Sequence, residues 1–358
     1  MRAMIGWLVG SAVMAGCGPA TSARAWPEAD ALFHRDVRWL GGDAAYSVAL
    51  GDTRTLWLFG DTFVATTERH VRSESTLVRN TVAVQRGEDP VTASIAFAWR
   101  EAEDGGPASY VPEAAEHWFW PLHGIERNGV VTTFWLEEAA GGGLGFEAVG
   151  TRALRADDVT GDEPGAWTWR ELELPEVSFG ADDGVRIGAS VLALPGFVYA
   201  YAVEEPGDHD VYLLRWSEAA FDAGDLREPQ WWRDGWVPHA SLSGAPAVVF
   251  GDAQTEFSVS FDAEHERFVL VQTEGFGGTT IGIRTAPRPE GPWSRRTTVF
   301  RPPESDRAGV LVYAAKAHPQ LEGEGLVVTY ASNATDFGVL VADETLYWPR
   351  FVRVEVGE

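Results

Sequence analysis

One recurring outline constrains this chain more than any other feature. Five hairpins each pair an inner strand that starts with small or polar residues with a strand rich in aromatic and β-branched residues. The first runs from Asp43 to Phe63 and turns at Gly51-Asp52-Thr53-Arg54. The second starts at His117 and turns at Asn128-Gly129, and the third starts at Ile187 and turns at Pro195-Gly196. The fourth starts at Glu256 and turns near Glu264, and the fifth spans Val312 to Tyr330 and turns at Gly323. With start points at 43, 117, 187, 256 and 315, the intervals are 74, 70, 69 and 59 residues. Each interval leaves room for two further strands, such as Asn80 to Gln85 and Ile95 to Trp99 after the first hairpin. Four strands repeated five times predict an all-β, five-bladed β-propeller over residues 26–358. A two-sheet sandwich would not produce a five-fold pattern at near-constant spacing. Closure is expected where the segment from Phe33 to Leu40 joins the last blade beside Tyr347 to Val356.

Composition agrees with this reading. The chain carries 16 Trp and 18 Phe for a core, and 39 Gly and 20 Pro for many turns. A formal charge of −25 argues against nucleic acid and anionic lipid headgroups as partners. Lys316 is the only lysine among 28 basic residues, and arginine does not replace lysine wherever a compact donor is needed. Residues 1–16 read as a lipoprotein signal peptide: Arg2, an apolar stretch from Met4 to Ala15, then Met14-Ala15-Gly16-Cys17. Cys17, the only cysteine, is then the lipidated residue, and 17–25 a tether. The expected location is the cell envelope, with the membrane touched only through the lipid.

The repeat converts sequence positions into a candidate site. Inner strands of a propeller run parallel, so their beginnings meet at one mouth of the central channel. That rim gathers Asp43, Trp118, Trp120, Ser190, Glu256, Lys316 and His318. Asp61 returns to the same rim across the first hairpin, and Asn80 opens the next strand. Asp43 and Asp61 alone are either turn caps bonding backbone N–H groups or catalysts. With Glu256 converging from another blade the set suits glycoside hydrolysis, which needs one carboxyl held protonated and one ionised. In this reading Asp43, Asp61 and Glu256 are catalytic, with Glu256 the general acid. Asn80, Trp118, Trp120, Ser190, Lys316 and His318 bind substrate. Whether configuration is retained or inverted depends on a carboxyl separation of ~5 versus ~6.5–9.5 Å.

Several stretches carry a resemblance. Gly42-Asp43-x-x-Tyr46-Ser47, Leu58-Phe59-Gly60-Asp61-Thr62-Phe63, Arg79-Asn80-Thr81, Trp120-Pro121, Glu256-Phe257-Ser258-Val259 and Lys316-x-His318-Pro319 stand in this order. Together with the ending Leu346 to Val352, they resemble a bacterial family of exported five-bladed propellers long catalogued as a domain of unknown function. Some members of that family are endo-acting hydrolases of D-arabinofuranose polymers. The resemblance implies that the acids matching Asp43, Asp61 and Glu256 are the catalytic candidates.

Other chemistries find little support. There is no His-Glu-x-x-His run and no cysteine pair, so zinc has no motif. No cofactor is expected; a channel calcium ion near His318 has no motif behind it. Asp182-Asp183-Gly184 and Asp208-His209-Asp210 read as solvated turns rather than calcium loops. Ser190 lacks a Gly-x-Ser-x-Gly elbow and a base partner. Trp231-Trp232 and the pair Trp167 and Trp169 read as packing residues. The expectation is therefore a monomeric, lipid-anchored glycoside hydrolase of a furanose-containing, arabinan-like polysaccharide. The alternative is a non-catalytic glycan-binding or scaffold propeller on the cell surface.

Overall fold

The computed structural model describes residues 21–357 apart from 144, 160, 162, 178, 180–183, 206 and 276–277. The signal peptide and Cys17 lie outside the described residues, as do Asp182 and Asp183 of one acidic turn.

The chain is all-β, and its large sheets are antiparallel meanders taken in chain order. The first comprises Tyr46–Gly51, Arg54–Phe59, Thr81–Arg86 and Ser94–Ala98. The second comprises His117–Arg127, Val130–Ala140, Phe146–Ala156 and Trp169–Leu172. The third begins with Val185–Leu194 and Phe197–Glu204, and the fourth with Ser258–Asp262 and Arg267–Thr273. The fifth pairs Val310–Ala317, Leu326–Ala334 and Arg350–Glu355, and its outermost strand is Ser22–Ala25 from the other end of the chain.

That last strand corrects one expectation. Closure is made by Ser22–Ala25, whose residues pair with Glu355 back to Val352, and not by the Phe33 to Leu40 segment. Residues 22–25 are thus held in a sheet. Trp26 continues the pairing by donating its backbone N–H to Phe351 O at 2.8 Å. Phe33 instead inserts beneath the sheets, stacked on Phe351 at 5.3 Å and edge-on to Trp57 at 5.1 Å. It is fully buried, because the helical turns Pro27–Asp30 and Ala31–His34 fold it inward.

Each sheet packs on its neighbours. Tyr46, Leu56 and Val84 of the first meet Phe119 and Trp135 of the second. Phe134 of the second meets Val198 and Trp216 of the third. Tyr201 and Leu213 of the third meet Phe257 and Leu270 of the fourth, and Val271 of the fourth meets Val328 and Val352 of the fifth. The circuit returns through Trp57 and Phe59 of the first sheet against Val327 and Phe351 of the fifth. Burying such side chains contributes roughly 1.5–3 kcal/mol each, so every junction is a substantial apolar seam.

A second circuit, of hydrogen bonds, lies inside the first. His123 Nε2 lies 3.1 Å from Ser47 O, and His123 Nδ1 accepts from Val191 N at 2.9 Å. Ser190 Oγ accepts from Val259 N at 2.8 Å, and Ser258 Oγ from Ala317 N at 2.7 Å. His318 Nδ1 lies 2.6 Å from Ser47 Oγ, which brings the chain of bonds back to the first sheet. Each inner strand is thereby fixed to the next.

Candidate active site

The first hairpin builds the centre of the site. Its turn residues Asp52 and Thr53 both adopt positive φ, at 49° and 59°, which suits a tight two-residue connection. Tyr46 pairs with Leu58 across the hairpin, and extending that register places Asp43 opposite Asp61. Gly60 N donates to Asp43 O at 3.2 Å, confirming the close approach.

The two acids are held differently. Asp43 Oδ2 accepts from Tyr313 at 2.6 Å and from Tyr347 at 3.0 Å. Its Oδ1 lies over Gly60 so closely that a Cβ there would collide with it. Burial, then the negative charges of Asp61 and Glu256, push the Asp43 carboxyl up to about 8 despite the two phenol donors. Asp61 Oδ1 accepts from the indole of Trp120 at 2.8 Å, and Oδ2 from Arg79 at 3.3 Å. Burial raises its carboxyl to about 6, against the lowering effect of Arg79 and Trp120.

Glu256, just ahead of the fourth sheet, faces Lys316 from the fifth, with Nζ 2.9 Å from Oε1. Lys316 is 1% exposed and also donates to Ala44 O at 2.6 Å and Ala314 O at 2.9 Å, over the Tyr46 ring. The ammonium thus fixes the orientation of the Glu256 carboxyl. Backbone strain gathers at the same place: Ala44, Ala45, Ala314 and Tyr347 have φ between 53° and 65°. Non-glycine residues seldom hold such angles unless their surroundings enforce them.

The other expected binders divide into two groups. Trp118 and Trp120 sit half-buried at the rim, with rings 6.1 Å apart, and Arg79 lies 4.5 Å over the Trp118 ring. The remaining three belong to the scaffold, because their polar atoms are already bonded within buried surroundings. Asn80 donates to Val111 O and Phe119 O and accepts from Val111 N. Ser190 belongs to the inner circuit of hydrogen bonds. His318 is fully buried between Ser47 and Thr329, and burial holds it well below the usual histidine range, hence neutral. Tyr313, Tyr347 and Arg79 were not singled out from sequence as acid-holding residues. Their signal was proximity to motifs: Tyr313 lies three residues before Lys316, and Arg79 immediately before Asn80.

Glu138 is a further acid that the sequence did not single out. It is 2% exposed, and burial followed by the charge of Glu205 raises its carboxyl to about 8. Among the described residues no group of three or more His, Cys, Asp or Glu side chains is arranged to hold a metal ion. His209 of the other acidic turn lies 3.0 Å from Glu205.

Among solved structures, the chain is similar to a protein from Bacteroides ovatus ATCC 8483 described as a candidate hydrolase. The TM-score is 0.71 at 18% identity, covering 93% of this chain and 90% of that one. The two share a fold. Looser likenesses include a GH43_1 enzyme from Xanthomonas citri complexed with xylotriose, with TM-score 0.48 and 14% identity over 92% and 93% of the chains. An exo-1,5-α-L-arabinanase from a bovine ruminal metagenomic library gives 0.46 and 10% over 88% and 93%. Both are too distant to assign a fold. No curated protein matches the sequence. The sequence profile described as "Domain of unknown function (DUF5005)" matches residues 28–356.

Proposed function

Since the chain belongs to the DUF5005 family, whose description assigns no reaction, we propose from the site's own chemistry that it is a glycoside hydrolase. The proposed architecture is a five-bladed β-propeller, supported by the circuit of five packed sheets. The observation that carries the reading is the unequal holding of Asp43 and Asp61. Two neighbouring carboxyls, one raised to about 8 and one to about 6, leave one proton between them near neutrality.

Asp43 is then the general acid. Its Oδ2 is filled by two phenol donors, so the proton resides on Oδ1 and passes to the glycosidic oxygen as the bond breaks. Asp61, aligned by Trp120 and Arg79, is the carboxylate that acts at the anomeric carbon, directly or through a water molecule. Glu256, fixed by Lys316, keeps the Asp43 proton in place by its charge and accepts from substrate hydroxyls. The Trp118 and Trp120 rings offer faces for sugar stacking.

The proposed substrate is a furanose-containing, arabinan-like polysaccharide. Its support is the sequence resemblance; the fold shared with a protein described as a candidate hydrolase fits the reaction class. The protein is proposed to work outside the cytoplasm, held by lipid on Cys17, and as a monomer without a cofactor. Incubation with arabinan and a panel of other glycans, followed by analysis of released oligosaccharides, tests the reading. Products that vanish in Asp43→Asn and Asp61→Asn support it. Absence of product from every polymer overturns hydrolysis and leaves a glycan-binding module.

A further inference from the structure

The outer junction of the first and second sheets opens into a cleft of 1360 Å³. Ligand pockets of drug size run to ~300–1,000 Å³, so this one has room for something longer. Trp99, Tyr110, Trp167 and Trp169 line it, and all but Tyr110 are half-buried. Two of the aromatics are fixed: Trp169 Nε1 donates to Tyr110 Oη at 2.8 Å, and Tyr110 donates to Pro164 O at 2.5 Å. Trp167 Nε1 is buried with no hydrogen-bond partner among the described residues. Trp167 and Trp169 pack against the core between the first and second sheets and keep part of their rings open to the cleft, whereas Trp231 is fully buried.

The cleft runs beside the candidate site, although none of Asp43, Asp61, Glu256, Trp118 and Trp120 lines it. Ser109, in its wall, accepts from the backbone N–H of Arg79, whose guanidinium holds Asp61. Glu113, also in the wall, is close enough for its charge to raise the Asp61 carboxyl. The outer part mixes hydrogen-bonding groups with the aromatic faces, including Arg100, Glu101, Arg152 and Glu171. Four glutamates against two arginines in the wall, on a chain of net charge −25, disfavour a polyanion.

We propose that this cleft is an extended binding groove for a neutral polysaccharide chain, running beside the bond-cleaving centre with Trp99, Trp167 and Trp169 as stacking platforms. The inference rests on the glycoside hydrolase reading for what lies beside it, but the binding itself does not require turnover. Apolar ring faces of the sugar would lie on the indoles, and its hydroxyls would meet the arginine and glutamate side chains.

Native gel electrophoresis in gels containing linear arabinan or xylan tests the groove, using the full chain as wild type, Asp61→Asn, Trp99→Ala and Trp167→Phe. Trp167→Phe keeps an aromatic face if Trp99→Ala fails to fold, and thermal melting reports folding for each. The expected result is retardation of wild type and Asp61→Asn by at least one polymer, weakened about tenfold in apparent affinity by Trp99→Ala and only about two- to threefold by Trp167→Phe, whose smaller ring keeps part of the stacking face. In Trp99→Ala the ratio of kcat/KM on that polymer to kcat/KM on its trisaccharide should fall about tenfold as well. Unchanged retardation in folded tryptophan variants, or no retardation of the wild type, overturns the groove. Retardation without any product overturns hydrolysis but leaves the groove standing. A doubled mass in light scattering that Trp99→Ala halves would mean the face binds a second copy, and this too overturns the proposal.

Discussion

Lys316 holds Glu256 from below, with its ammonium 2.9 Å from Oε1 and only 1% of its side chain exposed. The only lysine of the chain therefore lies in the interior, between two backbone carbonyls, an aromatic ring and a carboxylate. Arginine's wide planar fork would not fit where a compact ammonium donates in three directions. Lys316→Met leaves Glu256 and the carbonyls of Ala44 and Ala314 without their donor. Removing one member of a buried pair costs about 3–5 kcal/mol, to be read by chemical denaturation. Lys316→Met combined with Glu256→Gln should recover part of that loss, because no unpaired charge remains.

The paired acids set a pH optimum. Asp61 must be ionised, which requires pH above about 6, and Asp43 protonated, which requires pH below about 8. The profile of kcat/KM should be a bell with its plateau between those limits. Asp43→Asn should lower kcat by roughly 10²–10⁴ and remove the alkaline limb.

Glu256→Gln provides a separate test of roles. The negative charge of Glu256 is one cause of the raised Asp43 carboxyl. Removing it should move the alkaline limb to lower pH while the acid limb, set by Asp61, stays near 6. A loss of activity together with disappearance of that limb would instead favour Glu256 as the proton donor.

Stability should fall as pH rises across this range. In the unfolded chain the Asp43 carboxyl ionises near pH ~4, and in the folded protein only near 8. The native state thus binds the extra proton between those values, and its stability contribution fades as pH rises through that window. Asp43→Asn, which can still accept from Tyr313 and Tyr347, is free of this loss. Its melting temperature should exceed that of the wild type at pH 8, with the gap closing toward pH 4.

Ser190→Ala tests the inner circuit of hydrogen bonds. The change leaves Val259 N–H buried without an acceptor, and such a group costs about 1–3 kcal/mol. Urea unfolding should show that loss.

Much of this was legible in the sequence because strand alternation and turn chemistry are local. The Asp43 to Phe63 hairpin declared its own register, and with it the meeting of two acids across one turn. What stayed hidden was long-range. Nothing local distinguishes Ser190, which bonds the neighbouring sheet, from a serine facing substrate. Asn80 has a polar side chain at a strand start, yet all its capacity goes to Val111 and Phe119. The tyrosines on Asp43 come from positions 270 and 304 residues away, so only the folded circuit brings them together. The closing strand escaped notice because Ser22–Ala25 is short and mostly exposed, and its pairing is its main sign.

That strand also governs how the protein can fold. Ser22 and Glu355 are neighbours in the sheet but 333 positions apart in the chain. Contacts so distant in sequence are slow to form, because a very long loop must close before they repay its lost entropy. The fifth sheet therefore remains an open edge until the last strand has been synthesised and the first has found it. An interrupted or C-terminally clipped chain would expose the Leu326–Ala334 strand edge, a template for self-association. Closure of the fifth sheet thus waits on two strands 333 positions apart.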